Sequence, residues 1–154
     1  MRRSRPLKQV VRLGLIAATS LAIALLIIIF SMGPTFIAQR LNSVGSQPLP
    51  SISSDVQALH DSLTIVDLHA DSLLWGRDLS QQSDYGHVDV PRLLQGNVAL
   101  QVFTVVTKVP TPLLLEGNPA DSDSIIQLAL LQRWPMATWL SLAERALYQA
   151  KQLQ

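Results

Sequence analysis

Three residues with chemically useful side chains alternate along one short stretch, Asp67, His69 and Asp71. The β-branched run LTIVDLH predicts a strand over 63–69 that ends at this stretch. Side chains of a strand alternate between its faces, so the three residues share one face, with neighbours about 6 to 7 Å apart. An imidazole and a carboxylate at the carboxyl end of a strand can bind one divalent metal ion. The alternative is a polar strand end whose aspartate caps the following turn.

A second His-x-Asp pair follows in the chain, His87 and Asp89. Asp89 stands directly before VPRLLQGN, a stretch that predicts a short helix with proline in its first turn and Gly96 or Asn97 at its end. An aspartate in that position is typical of a helix N-cap. We therefore interpret the second pair as structural.

Strands and helices alternate in the rest of the chain. VALQVFTVVT predicts a second strand over 98–107, and its nearly continuous apolar run is typical of a strand buried on both faces of a parallel sheet. Helices are predicted over 55–62 and 122–133. A last helix begins with a capping box, Ser141 and Glu144, and carries Leu142, Ala146, Ala150 and Leu153 on one face. This order of elements indicates an α/β fold.

The two His-x-Asp stretches together resemble the membrane dipeptidase (renal dipeptidase) family of zinc-dependent peptidases. The resemblance covers roughly residues 60–150 and rests on VDLHADSLLW, followed by GHVDVPRLLQGNVALQVFTVV. The second stretch matches the family pattern at His87, Asp89, Pro91, Arg92, Leu93, Gly96, Gln101 and Phe103.

The resemblance implies a (β/α)8 barrel whose mouth holds two zinc ions and hydrolyses dipeptides with a metal-activated water. Within it, His69 and Asp71 would ligate one zinc ion, and Asp67 would orient the histidine or the strand end. The Trp residues, by contrast, are interpreted as packing residues, and Arg77 and Arg92 as surface or ion-pair residues.

The family site also needs a bridging glutamate and two further histidines from later strands. The sequence holds only Glu116 and Glu144, and its other histidines are His60 and His87. Because a (β/α)8 barrel takes about 250 residues, we expect residues 55–154 to be a partial catalytic domain, the N-terminal fragment of such a barrel, with little activity alone. The competing hypothesis is a single-pass membrane protein whose extracytoplasmic domain binds a partner without catalysis.

The first third of the chain predicts a membrane anchor. Residues 13–30 are eighteen residues without a charge, and together with their apolar flanks they predict a transmembrane helix over 10–32 that lies in the lipid bilayer. The alternatives are a buried core helix and a cleaved signal peptide. The run is longer than a signal-peptide core of about 7 to 15 residues and no cleavage site follows cleanly, which favours an uncleaved signal anchor.

Charge sets the expected topology and partners. Five basic residues precede Leu13 and only Arg40 follows the span closely, so residues 1–9 are predicted to be cytoplasmic and the rest extracytoplasmic.

Residues 33–54, rich in serine, proline and glycine, predict a flexible linker. Residues 43–154 carry six basic against eleven acidic residues, which argues against nucleic acid as a partner. The absence of cysteine excludes disulfides, cysteine-ligated zinc and a cysteine nucleophile.

Overall fold

The computed structural model describes residues 7–45, 48 and 50–153, and in these residues helices and strands are mixed. The regular elements are α1 (Leu7–Leu41), α2 (Ser54–Ser62), β1 (Ile65–Ala70), α3 (Val90–Gln95), β2 (Val98–Phe103), α4 (Ile125–Leu131) and α5 (Leu142–Ala150). Short 3-10 turns lie at Ser72–Trp75, Met136–Thr138 and Lys151–Leu153. Each predicted strand and helix is present, although β2 and α4 are shorter than the predicted ranges of 98–107 and 122–133. Most of the predicted cytoplasmic segment 1–9 lies outside the described residues.

Helix α1 is the long apolar helix that the sequence predicts. It has 35 residues, and its most apolar window of 18 residues has a mean hydropathy of 2.8 with none of the window buried. About 20 such residues cross the hydrocarbon core of a bilayer. The helix is therefore long and apolar enough to span a membrane.

Helix α1 also continues beyond the predicted span of 10–32. It passes through Pro34 and ends at Leu41, so the first nine residues of the segment predicted as linker are helical. Proline lacks the N–H that a helix interior uses, and packing against the rest of the chain favours the helix here. Ala38 is only 2% exposed, and a Cβ on Gly33 would lie 3.1 Å from the Leu131 Cδ1 atom.

The chain that follows α1 is tied to the connection between the two strands. The Gly86 N–H donates to the Asn42 carbonyl at 2.7 Å, and Ser43 forms an antiparallel bridge with Tyr85. Gly86 has a φ of +82°, and a Cβ there would clash with the Arg77 guanidinium. Glycine is therefore required at this contact both for its backbone conformation and for space.

Strands β1 and β2 are parallel neighbours, with Val66 opposite Leu100 and Asp67 opposite Gln101. A helix-containing crossover joins them, as a parallel pair requires. The prediction of burial on both faces is wrong for the described residues, because Val66, Leu68 and Leu100 are exposed on one face of the sheet. Two strands leave that face without enough neighbouring structure to cover it. They show a parallel α/β arrangement and do not by themselves show a (β/α)8 barrel.

The apolar core lies beside the sheet and is built on tryptophans. Its buried residues are Leu74, Ile125, Ala129 and Trp134, with Trp75 and Trp139 packed against them. The rings of Trp134 and Tyr148 have centroids 5.0 Å apart, a favourable separation for aromatic pairs. The interpretation of the three tryptophans as packing residues is confirmed.

Helix α5 begins as predicted and buries a different face from the apolar one in the sequence. The Ser141 side chain accepts the Glu144 N–H at 3.2 Å, so the N-cap is confirmed. Leu142 and Ala150 are exposed, however, and Arg145 and Gln149 are buried. Arg145 donates to the carbonyls of Thr107, Thr138 and Trp139 and to the Asp123 carboxylate. Buried carbonyls need donors, and these polar side chains supply them.

The packing of α1 on the folded part predicts the effect of a charge at Ala38. Ala38→Asp would bury an unpaired carboxylate and should lower the free energy of unfolding by about 2 kcal/mol or more. Thermal unfolding of the full chain in detergent micelles, followed by tryptophan fluorescence, measures this, since Trp75 borders the same cavity as Ala38. The exposed neighbour Gln39→Asp is the matched control and should leave the midpoint unchanged. Equal midpoints for the two variants would contradict the packing of α1.

Candidate metal site at the end of strand β1

The structure brings two of the three predicted site residues together at the carboxyl end of β1. His69 Nε2 lies 3.3 Å from Asp71 Oδ2, with 70% and 45% of the two side chains exposed. Strand β1 ends at Ala70, so Asp71 is the first residue of the connection that follows. An exposed pair of this kind contributes little to stability, and both groups remain open to a ligand.

Asp67 contacts the backbone of His69. Its Oδ1 atom accepts the His69 N–H at 3.1 Å, and this bond, followed by the Gln101 side chain, holds the pKa of the Asp67 carboxyl below its usual range. The register between the strands shifts over this stretch, since Asp67 lies opposite Gln101 and Ala70 opposite Phe103. Asp67 thus stays anionic and holds the irregular strand end that presents His69.

Thr104 is a member of the site that the sequence analysis missed. Its hydroxyl donates to the Asp71 Oδ1 atom, and its backbone N–H donates to the Ala70 carbonyl at 2.9 Å. The threonine therefore orients Asp71 so that Oδ2 is directed to His69. A signal was present, because Thr104 directly follows β2 and the carboxyl ends of parallel neighbours lie at one edge of a sheet.

A shallow, open cleft of about 600 Å³ lies beside the pair and is lined by His69, Asp71 and residues 103–108. Gln149 of α5 holds one wall, as its Oε1 accepts the Val106 N–H at 3.0 Å and its Nε2 donates to the Val106 carbonyl at 2.9 Å. Lys108 also borders the cleft, with its ammonium bonded to the Ala120 carbonyl. The volume of the cleft falls within the range of about 300 to 1,000 Å³ that is typical of small-molecule sites.

The pair fits one edge of a zinc site. Zinc bonds of about 2.0 to 2.1 Å in tetrahedral geometry place two ligand atoms roughly 3.3 Å apart, and the His69 Nε2 and Asp71 Oδ2 atoms have this separation. Imidazole nitrogen and carboxylate oxygen are both ligands that zinc accepts. Among the described residues, no group of three or more possible ligands converges, so the pair is a partial ligand set.

The second His-x-Asp pair is structural, as the sequence indicates. Asp89 is fully buried, its Oδ1 accepts the Arg92 N–H at 3.1 Å, and Arg77 Nη2 donates to its Oδ2 at 2.9 Å. The Arg92 guanidinium also bonds to it, which confirms ion-pair roles for both arginines. His87 is exposed beside this cluster.

Burial alone would raise the pKa of Asp89. The hydrogen bond from the Arg92 backbone, the Arg92 charge and the side-chain bonds from both arginines together outweigh it and hold the pKa below its usual range.

Neither a known protein family, nor a curated protein, nor a solved structure matches the chain. The dipeptidase resemblance accordingly depends on the motif residues themselves. Of these, His69 and Asp71 meet at one strand end, while Asp89 and Arg92 stabilise the crossover.

The buried Asp89 carboxylate predicts a pH-dependent stability. A lowered pKa stabilises the folded state above the pKa of the unfolded chain, and this contribution is lost as the pH falls through the folded-state value. Asp89→Asn should cost about 3 kcal/mol near neutral pH, since it leaves the buried Arg77 and the partly buried Arg92 without their anion. The loss should be smaller at about pH 3, which is below the ordinary aspartate pKa of about 3.9, because protonation of the unfolded chain then cancels part of this contribution.

Denaturant unfolding of the full chain in detergent at both pH values measures the effect. The exposed Asp84→Asn is the control and should match the native chain at both. A loss for Asp89→Asn that is equal at the two pH values would contradict the assigned ion-pair role.

Proposed function

We propose that the chain is a membrane-anchored protein of the metal-dependent dipeptidase type, in which His69 and Asp71 belong to a zinc site that cleaves dipeptides. The observation that carries the proposal is the 3.3 Å separation of His69 Nε2 and Asp71 Oδ2 at the carboxyl end of a parallel strand. In this proposal β1, α3 and β2 form the first units of a (β/α)8 barrel, whose active sites lie at that end of the strands.

Each residue of the proposed site has its own role. Bound zinc would lower the pKa of a water molecule and polarise the peptide carbonyl. His69 and Asp71 supply ligand atoms, and the Thr104 hydroxyl keeps one Asp71 oxygen occupied so that the other is directed to the metal position. Asp67 holds the backbone of His69 in place. Supporting bonds of this kind orient ligands and strengthen metal binding.

A second candidate function is a membrane protein whose outer domain binds a partner without catalysis. The observation that favours it is that the described residues bring only two possible ligands together. A catalytic zinc site generally takes three protein ligands. We therefore expect the 154-residue chain by itself to bind zinc weakly and to hydrolyse no dipeptide.

Zinc titration of the full chain in detergent tests the proposed site. His69→Ala should lower the zinc affinity at least about tenfold, since even the loss of an outer partner of a ligand costs 10 to 100-fold. The matched control is His87→Ala, which removes the exposed histidine of the structural pair and should leave the affinity unchanged. Competition with a chromophoric zinc chelator provides the measurement.

Equal zinc affinity in the native chain and in His69→Ala would contradict the dipeptidase proposal and favour the partner-binding alternative. Zinc-dependent hydrolysis of a dipeptide by the native chain, lost in His69→Ala, would support the site and contradict the expected inactivity.

The same proposal places α1 across a bilayer with its N-terminus in the cytoplasm. Its support is the uncharged run 13–30 and the excess of basic residues before it. Basic residues flanking a span stay on the cytoplasmic side. The rest of the chain, including the candidate site, would then be extracytoplasmic.

Because the chain has no cysteine, single introduced cysteines report this topology. Leu115→Cys, at a fully exposed position, should react with a membrane-impermeant maleimide on intact cells. Gln9→Cys should react only after permeabilisation and should remain in the mature chain. The opposite labelling pattern would contradict the orientation, and loss of the residue 9 label from the mature chain would show that the segment is cleaved.

A further inference from the structure

The end of α4 packs against α1 just beyond the apolar run. The Leu131 Cδ1 atom lies 3.1 Å from the position of a Cβ on Gly33. The predicted transmembrane span of 10–32 ends directly before Gly33, so this contact lies at the end of the hydrocarbon core. The polar headgroup layer is about 5 to 7 Å deep on each side of the hydrocarbon core. If α1 spans a bilayer, Leu131 therefore lies at the depth of the headgroups.

Exposed residues close to Leu131 in the sequence have the chemistry that suits this depth. Leu130 and Met136 are 40% and 75% exposed. Arg133 is exposed as well, and it borders a cavity together with Pro34 and Thr35 of α1. Apolar side chains next to an arginine are typical of the interface, where the stems enter the acyl boundary and the cation meets lipid phosphate. We call Leu130, Arg133 and Met136 the α4 corner.

A second contact, directly after the C-terminal end of α1, shows which side of the folded part faces the membrane. Asn42 and Ser43 hold Gly86 and Tyr85, and Asn42 lies nine residues beyond Gly33, about 13 Å further along the axis. The distance exceeds the depth of the headgroup layer. The α4 corner is thus on the membrane side of the folded part, and the crossover near Tyr85 is in water.

We propose that the α4 corner is a lipid-contact surface that rests in the headgroup layer of the bilayer spanned by α1. This inference rests on the proposed membrane anchor. The partner is the phospholipid bilayer itself, and the buried Ala38 and the Gly33–Leu131 contact hold the corner at the required depth. The folded part is then docked on the membrane at two places, through α1 and through the corner.

Spin labels on single cysteines test the contact in the full chain, reconstituted in vesicles of phosphatidylcholine and phosphatidylglycerol. The measurement is the accessibility of each label to oxygen, which partitions into lipid, relative to a water-soluble nickel chelate. Leu21→Cys, at the middle of the apolar run, is the lipid reference, and Asp84→Cys, beside the Ser43–Tyr85 bridge, is the water reference. Labels at Leu130→Cys and Met136→Cys should give oxygen-to-nickel ratios between these two values. If Leu130→Cys does not fold, the label at Met136→Cys still tests the proposal.

The outcomes separate the corner from the anchor. Ratios at both corner positions equal to that at Asp84, with a lipid-like ratio at Leu21, would overturn the lipid-contact surface and leave the anchor in place. A water-like ratio at Leu21 would overturn both. In the same vesicles, a ratio at a corner position that is raised in the native background and falls to the Asp84 value with Ala38→Asp would show that the docking of α1 sets the depth, as inferred.

Discussion

The buried carboxylate of Asp89 is the contact on which the connection between the two strands depends. Parallel strands must be joined by a crossover, and here Asp89 caps α3 while it pairs with Arg77 from the other half of that crossover. The Arg77 side chain fills the space left by Gly86, whose N–H reaches the chain after α1. The Asp89 carboxylate thus stabilises the crossover between β1 and β2. Arg77, its partner, packs against Gly86, and Gly86 is bonded to the chain directly after α1.

The polar face of α5 has a comparable role for the chain that follows β2. The chain after β2 has no regular secondary structure and no neighbouring strand in the described residues, and its backbone groups still require partners. Gln149 bonds both backbone groups of Val106, and Arg145 reaches the Thr107 carbonyl. Side chains take the place of a neighbouring strand here. The wall of the cleft beside His69 and Asp71 is held by these bonds.

The residues of the candidate site were predictable to different degrees. The spacing of His69 and Asp71 predicts that they lie near each other at a strand end, because strand side chains repeat every two residues. The role of Asp89 as an N-cap was predictable from the adjacent proline helix. Thr104 is separated from Asp71 by 33 positions, and its contact depends on the pairing of β1 with β2. The irregular register near Asp67 also depends on that pairing.

Structural features that depend only on neighbouring residues along the chain could be determined from the sequence alone. They include the apolar helix near the N-terminus, the caps at Asp89 and Ser141, and the two strand segments, since hydrophobic period and capping are local. Only the tertiary structure decided that α1 continues to Leu41, that α5 buries Arg145 and Gln149, and that one face of the sheet stays exposed. Each of these depends on which distant segment supplies a contact or a hydrogen-bond acceptor, and no local pattern of residues encodes that choice.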